Sequence, residues 1–117
     1  MIAVIFEVLP RETRSDDYLS LAADLRRKLE DTDGFLSIER FESLATPGRI
    51  LSLSFWRDEE SLTRWRNLAE HRHAQTAGRN GIFEDYRLRV ATVVRDYGMR
   101  DRAEAPVDSL EAHSPGR

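Results

Sequence analysis

One short stretch, WRNLAEHRHAQTAGR from Trp65 to Arg79, gathers most of the side chains that could do chemistry in this chain. It contains two of the three histidines. A neutral imidazole, with an ordinary pKa of about 6.5, accepts protons near neutral pH. His71 and Gln75 are four residues apart, so on a helix they share one face. The pattern is typical of a polar pocket wall or of a solvated helix face.

The two histidines do not form a metal site if the stretch is helical. His71 and His73 are two residues apart, which separates their side chains by about 200° around a helix, whereas one metal ion needs converging ligands. The chain has no cysteine, which excludes thiolate ligands and a cysteine nucleophile. Ser52 and Ser54 lie on a predicted strand without the sharp turn of a serine nucleophile. We therefore expect no metal, and a hydrolase is disfavoured.

Length and charge restrict the class of protein. A chain of 117 residues, of which 40% are hydrophobic and 33% charged, fits one small globular domain. The formal net charge of -3 gives no general attraction to nucleic acid or to anionic lipid, so neither is an expected partner. The apolar N-terminus has no basic residue before it and no cleavage pattern after it, which predicts a first strand and a cytoplasmic location.

The elements that must position this stretch follow the order β-α-β-β-α-(α)-β. Alternating apolar residues predict four strands, at 2–8, 35–43, 50–56 and 85–97. Ser15 is predicted to cap the first helix and Asp58 the second, and a further helical piece is expected at 70–78. This order predicts an α+β, ferredoxin-like fold with a four-stranded antiparallel sheet and helices on one face.

The sheet carries more apolar surface than two helices can cover. Both faces of the second and third strands are apolar, which predicts a homodimer in which a second sheet covers the open face. The domain is expected to span residues 1–98. The segment 99–117, interrupted by Pro106 and Pro115, is expected to be a tail without its own core.

A family resemblance enters through the segments GFLSIERFESL, PGRILSLSFWRDEESLTRWRN, and EHRHAQTAGR leading into DYRLRVATVVRDYG. Together with the element order they are similar to the antibiotic biosynthesis monooxygenase-like (ABM) family of dimeric α+β barrels. The resemblance covers about residues 1–97. It implies a homodimer with a pocket in each subunit between sheet and helices.

The resemblance also implies a chemistry. Some members are cofactor-independent monooxygenases that act on electron-rich aromatics, either quinols or polyketide-like molecules, with dioxygen. On this hypothesis His71 is the catalytic base and no cofactor is needed. Six other side chains of the stretch would bind the substrate: Trp65, Asn67, Arg72, His73, Gln75 and Arg79.

Two other functions stay open. The same fold would serve a non-catalytic dimeric protein that binds small ligands, and Trp65 would then be a core residue on the face shared with Leu62 and Ala69. The other is a haem-binding or haem-degrading protein, since such relatives carry a histidine on this helix. They also carry an asparagine on the first strand, approximately where this chain has Glu7, and a buried carboxylate without a partner would be costly beside haem.

Overall fold

The computed structural model describes residues 1–68, 76 and 81–112. Four strands are present: β1 Ile2–Pro10, β2 Phe35–Glu42, β3 Ile50–Trp56 and β4 Phe83–Thr92. The helices are α1 Ser15–Glu30, α2 Glu59–Arg66 and α3 Val107–Ala112, and a short 3₁₀ turn, Glu12–Arg14, precedes α1. Among the described residues, none of the helices is both long enough and apolar enough to span a membrane.

The four strands form one antiparallel sheet in the order β2-β3-β1-β4. Each of the crossovers, through α1 and through α2, skips one position in the sheet, because β3 lies between β1 and β2 and β1 lies between β3 and β4. This topology confirms the predicted ferredoxin-like α+β fold.

The pleat of the sheet separates two sets of side chains. Val4 and Trp56 pack against Leu29 of α1 and Leu62 of α2 in one buried cluster, so this face of the sheet lies under the helices. A second buried cluster contains Val8 of β1 and lies near the opposite end of α1. The residues that alternate with these on the strands, including Ile5, Leu51, Leu53 and Phe55, are on the open face.

Several element boundaries differ from the sequence prediction: β1 continues to Pro10, β2 ends at Glu42 and β4 begins at Phe83. Strand β4 ends at Thr92 and not at residue 97, because Thr92 pairs with Ile2 and the Val93 amide donates to the carbonyl of Met1, where β1 has no further residue to offer. Ser15 is the first residue of α1 and not its cap; Arg14 holds the cap position and makes no side-chain capping bond. The predicted helical piece at 70–78 lies outside the described residues, apart from Thr76, which is helical.

The segment after β4 is held by local contacts. The backbone amide of Asp96 donates to Glu104 at 3.0 Å, and the guanidinium of Arg102 lies 5.4 Å from the ring centre of Tyr97. Helix α3 follows Pro106 directly and none of its residues is buried. The boundary between domain and tail at residue 98 stays a prediction.

Candidate active site

Helix α2 begins where the sequence predicts, because Asp58 caps it. One carboxylate oxygen of Asp58 accepts hydrogen bonds from the Ser61 amide at 2.8 Å and from the Ser61 hydroxyl at 2.7 Å. The bond from the Ser61 hydroxyl, the bond from its amide and a third from Arg57 lower the pKa of Asp58 to about 2. The cap fixes the first turn of the helix that carries Trp65 in its second turn.

A charged network attaches this helix to the turn before β2. Both terminal nitrogens of Arg57 donate to Asp33, each at 3.0 Å, in a bidentate pair. The hydrogen bond from Arg57 lowers the pKa of Asp33, and the bond to Asp33 raises the pKa of Arg57. The Arg57 amide also donates to the carbonyl of Gly34 at 2.8 Å. The start of α2 is therefore fixed to the end of the loop that follows α1.

Two tryptophans come together at one end of the space between sheet and helices. Trp65 of α2 is 4% exposed and Trp56 of β3 is 1% exposed, with ring centres 6.4 Å apart. The rings of Phe35 and Trp56 pack in a T-shaped arrangement with 5.5 Å between ring centres. The indole nitrogen of Trp56 donates to the Ser54 hydroxyl at 3.0 Å, which satisfies its buried donor.

A second aromatic group occupies the opposite end. The ring of Phe83 lies 5.8 Å from each of three rings, those of Phe6, Tyr18 and Tyr86. Tyr86 belongs to the edge strand β4 and is 41% exposed, as is Val90 on the same face. The space between the two aromatic groups therefore opens along the β4 side.

A cavity of about 350 Å³ lies between these aromatic groups, roofed by α1 and α2 and floored by the sheet. This volume is within the range of small-molecule sites. Apolar side chains form most of its described wall. Besides the two indole nitrogens, its polar described groups are few: the hydroxyls of two tyrosines and two serines, and two guanidinium groups, from Tyr18, Tyr86, Ser52, Ser54, Arg40 and Arg66. Such a cavity suits a largely apolar organic molecule with a small number of polar groups.

The sequence pattern of the antibiotic biosynthesis monooxygenase family matches residues 1–77. The chain belongs to this family. Jasmonate monooxygenase ABM of Pyricularia oryzae is 55% identical over 112 residues, which is 96% of this chain. The uncharacterized protein YqjZ of Bacillus subtilis is 32% identical over 93 residues, covering 80% of this chain and 79% of that protein. The chain spans 51% of the length of the Pyricularia relative.

Solved structures support the fold at low sequence identity. Rv0793 of Mycobacterium tuberculosis superposes with a TM-score of 0.74 at 16% identity, over 83% of this chain and 98% of that one. A Deinococcus radiodurans protein assigned to the same family gives a TM-score of 0.76 at 15% identity, over 85% and 98% of the two chains. The ABM fold predicted from the sequence is thus confirmed.

The structure describes two of the seven predicted site residues of this ABM chain. Trp65 lines the cavity. Asn67 is exposed at the C-terminal end of α2, where its side-chain nitrogen donates to the carbonyl of Thr63 at 3.0 Å. The other five, His71, Arg72, His73, Gln75 and Arg79, lie outside the described residues, so the roles predicted for them stay predictions.

Glu7 takes no part in the described cavity wall. It lies on the open face of the sheet, where its carboxylate accepts a hydrogen bond from Arg89 of β4 at 3.0 Å. The first-strand residues that face the cavity are Val4 and Phe6. Glu7 therefore does not bear on haem binding in this cavity. No group of three or more potential metal ligands occurs within residues 1–68, 76 and 81–112.

None of the hydroxyl and guanidinium groups of the described wall was among the predicted site residues, and one of them, on Arg40, has a buried donor. Arg40 reaches the cavity from β2, the edge strand next to β3, and its Nε is buried with no hydrogen-bond partner in the described part of the chain. A signal for it was available in the alternation of β2, which puts Arg40 on the same face as Ile38. That alternation alone does not say which face lies under the helices.

Proposed function

We propose that this chain is a monooxygenase domain that acts on a small, largely apolar molecule held between the sheet and the helices. The observation that carries the proposal is the cavity of about 350 Å³, with Trp56 and Trp65 in its wall, in a chain of the ABM family. The identity of 55% to a relative named as a monooxygenase supports the same activity.

The cofactor-independent form of this reaction takes all its electrons from the substrate. A base removes a proton from a CH₂ group that neighbouring aromatic rings or carbonyls make acidic, and the carbanion transfers electrons to dioxygen. One oxygen atom stays on the carbon as a carbonyl, and the other leaves as water with the two hydrogens. His71 is the proposed base, since an imidazole is suited to proton transfer near neutral pH.

The substrate class divides into two candidates. The resemblance to quinol oxygenases favours an electron-rich aromatic, whereas the name of the Pyricularia relative favours jasmonate, a cyclopentanone carboxylate. The two differ in their electron balance. Insertion of one oxygen atom at an unactivated carbon requires two additional electrons, so oxidation of jasmonate at such a carbon needs a reductant such as a reduced nicotinamide, while oxidation of an activated aromatic does not.

Oxygen uptake tests the proposal. Anthrone, which carries an acidic CH₂ group, and jasmonate are each incubated with the protein, with and without reduced nicotinamide, and products are identified by mass spectrometry. Heat-denatured protein corrects for spontaneous oxidation. Incorporation of one atom from ¹⁸O₂ into either product is the expected result. His71→Ala should lower the rate by about a hundredfold, the usual scale for loss of a general base.

A non-catalytic role in ligand binding is the second candidate, and one observation favours it. The described wall of the cavity contains no histidine, carboxylate or lysine that could act as a base. If neither compound consumes oxygen and ligands still bind, this role replaces the enzyme. If His71→Ala and the unchanged protein oxidise substrate at equal rates, the protein is still an oxygenase, but His71 is not its base.

The proposed assembly is a homodimer built on the open face of the sheet. Leu51, Leu53 and Phe55 are only partly buried there. A second copy would cover these side chains. Light scattering at micromolar concentration should give the mass of two chains, and Phe55→Glu should shift it toward one; a monomer for the unchanged protein contradicts the proposal.

A further inference from the structure

The placement of Arg40 leaves one buried N–H donor of its guanidinium group without an acceptor in the described part of the chain. Its position on β2 pairs with Ser52 of β3 and projects toward the helices, and its Nε is buried without a hydrogen-bond partner among the described residues. An N–H donor removed from water without a replacement acceptor is unfavourable, and more so on a charged group. The Nε of Arg40 therefore has no acceptor among the described residues.

All charged side chains in the described cavity wall are positive. The chain contains 21 acidic residues, yet the described lining residues include two arginines, Arg40 and Arg66, and no aspartate or glutamate. Arg66 is exposed and can be solvated by water, whereas the buried Nε of Arg40 cannot. A ligand that brings its own negative charge would supply what the wall lacks.

We infer that the substrate of this cavity is a carboxylate and that Arg40 binds its carboxylate group. This inference rests on the proposed function in one respect, namely that the substrate occupies this cavity. A guanidinium group offers parallel N–H donors that match the two oxygens of a carboxylate. A neutral carbonyl would accept hydrogen bonds but would leave the positive charge of Arg40 uncompensated.

The sheet register places the rest of such a molecule. Arg40 and Ser52 lie in one row across the sheet, and Trp56 lies four residues further along β3, which is about 13 Å at the rise of an extended strand. An acid bound at Arg40 would therefore extend its apolar part toward Trp56 and Trp65. The carboxylate would lie near the outer edge of β2, where Arg40 also borders an open cleft that admits solvent.

Matched pairs of acid and ester test the inference by binding alone. The probes are jasmonate with its methyl ester, and 1,4-dihydroxy-2-naphthoate with its methyl ester, titrated without oxygen in a calorimeter. The unchanged protein should bind each acid at least about tenfold more tightly than its ester, the low end of what hydrogen bonds to a charged group contribute. Arg40→Gln should remove this preference, mainly by weakening the acid.

Two further variants serve as matched controls. Arg66→Gln removes the exposed cavity arginine and should keep at least half of the preference for the acid. Arg40→Lys keeps the charge but loses the planar fork and should keep part of it. Thermal unfolding without ligand separates binding from structure: Arg40→Gln should unfold at the same temperature as the unchanged protein or higher, because it removes a buried donor that has no acceptor.

Four results would overturn the inference. They are equal binding of acid and ester by the unchanged protein, no binding of either acid, a preference for the acid that survives in Arg40→Gln, and a clear loss of thermal stability in unliganded Arg40→Gln with equal weakening of acid and ester. The fate of the proposed function is separate. If the protein prefers the acid through Arg40 but consumes no oxygen, the inference is supported and the oxygenase proposal is contradicted. If acid and ester are oxidised equally well, the oxygenase proposal is supported and the inference is contradicted.

Discussion

Replacement of Gly34 by alanine tests how the start of α2 is attached to the rest of the domain. Gly34 has a φ of +89°, and a Cβ there would lie 2.0 Å from the Ser61 hydroxyl oxygen and 2.3 Å from its Cβ. Two costs therefore apply. A left-handed backbone costs a non-glycine residue about 1–2 kcal/mol. The overlap forces Ser61 or the backbone to shift, which adds about 1–3 kcal/mol, the usual range for overpacking.

Gly48 provides the matched control. Its φ is +84°, almost the same, but the nearest atom to an added Cβ is a Leu9 methyl at 3.9 Å, an ordinary contact. Gly48→Ala should therefore lower the free energy of unfolding by only the backbone cost of about 1–2 kcal/mol. Gly34→Ala should lower it by about 2–5 kcal/mol, the sum of both costs. The difference between the two variants isolates the overlap with Ser61.

Urea denaturation at one fixed protein concentration measures both losses through tryptophan fluorescence, since both tryptophans of the chain are buried in the fold. A third variant strengthens the test: in a Ser61→Gly background the overlapping atoms are gone, so Gly34→Ala should cost no more than Gly48→Ala does. Losses for Gly34→Ala and Gly48→Ala that agree within about 0.5 kcal/mol, the usual limit of additivity, would refute the argument.

Three more outcomes follow from the same geometry. Asp58 has a pKa of about 2 in the folded protein against an ordinary 3.8, so its carboxylate stabilises the fold fully above about pH 4 and loses this effect as the pH falls toward 2. The difference in melting temperature between the unchanged protein and Asp58→Asn should accordingly be largest near pH 6 and shrink as the pH falls to 2, and a constant difference would contradict the cap. Trp65→Ala should lower the free energy of unfolding by about 3–5 kcal/mol, as for other buried aromatics, and Trp65→Phe by less; equal effects in urea denaturation would show that the indole is not packed as described. Deletion of residues 99–117 should leave the circular dichroism of the sheet and helices intact and weaken any dimer in light scattering, and a chain that no longer folds would place the tail in the core.

The fold was largely predictable from the sequence because its elements rest on local signals. The alternation in 50–56 gave β3 its observed bounds, and Asp58 followed by two glutamates marked the start of α2 correctly. Ser15 misled the prediction because a serine near a helix start is a capping residue by type, while the cap position is fixed by backbone angles that type alone does not specify. The end of β4 is set by the start of its partner β1, and this pairing between distant parts of the chain cannot be seen in the local sequence.

The candidate site was less predictable because the face of a sheet that lies under the helices is decided by the whole fold. By apolar content alone, Leu51, Leu53 and Phe55 would be assigned to the core. The structure instead turns Ser52, Ser54 and Trp56 toward the helices. Small serine side chains on the inner face leave space that leucines and a phenylalanine would have filled.

The inner face of the sheet is thus not packed like a purely structural core. The residues that make it different lie close together on β2 and β3. The serines of β3 leave volume, Trp56 at the end of the strand bounds it, and Arg40 brings an unpaired donor into it from the neighbouring strand. A core selected for stability alone would replace Arg40 and Ser52 by apolar residues of matching size, since an unsatisfied buried donor and an unfilled volume both weaken a fold. Costs of this kind, concentrated at adjacent positions of two paired strands, are expected where a chain gives up stability to bind a ligand.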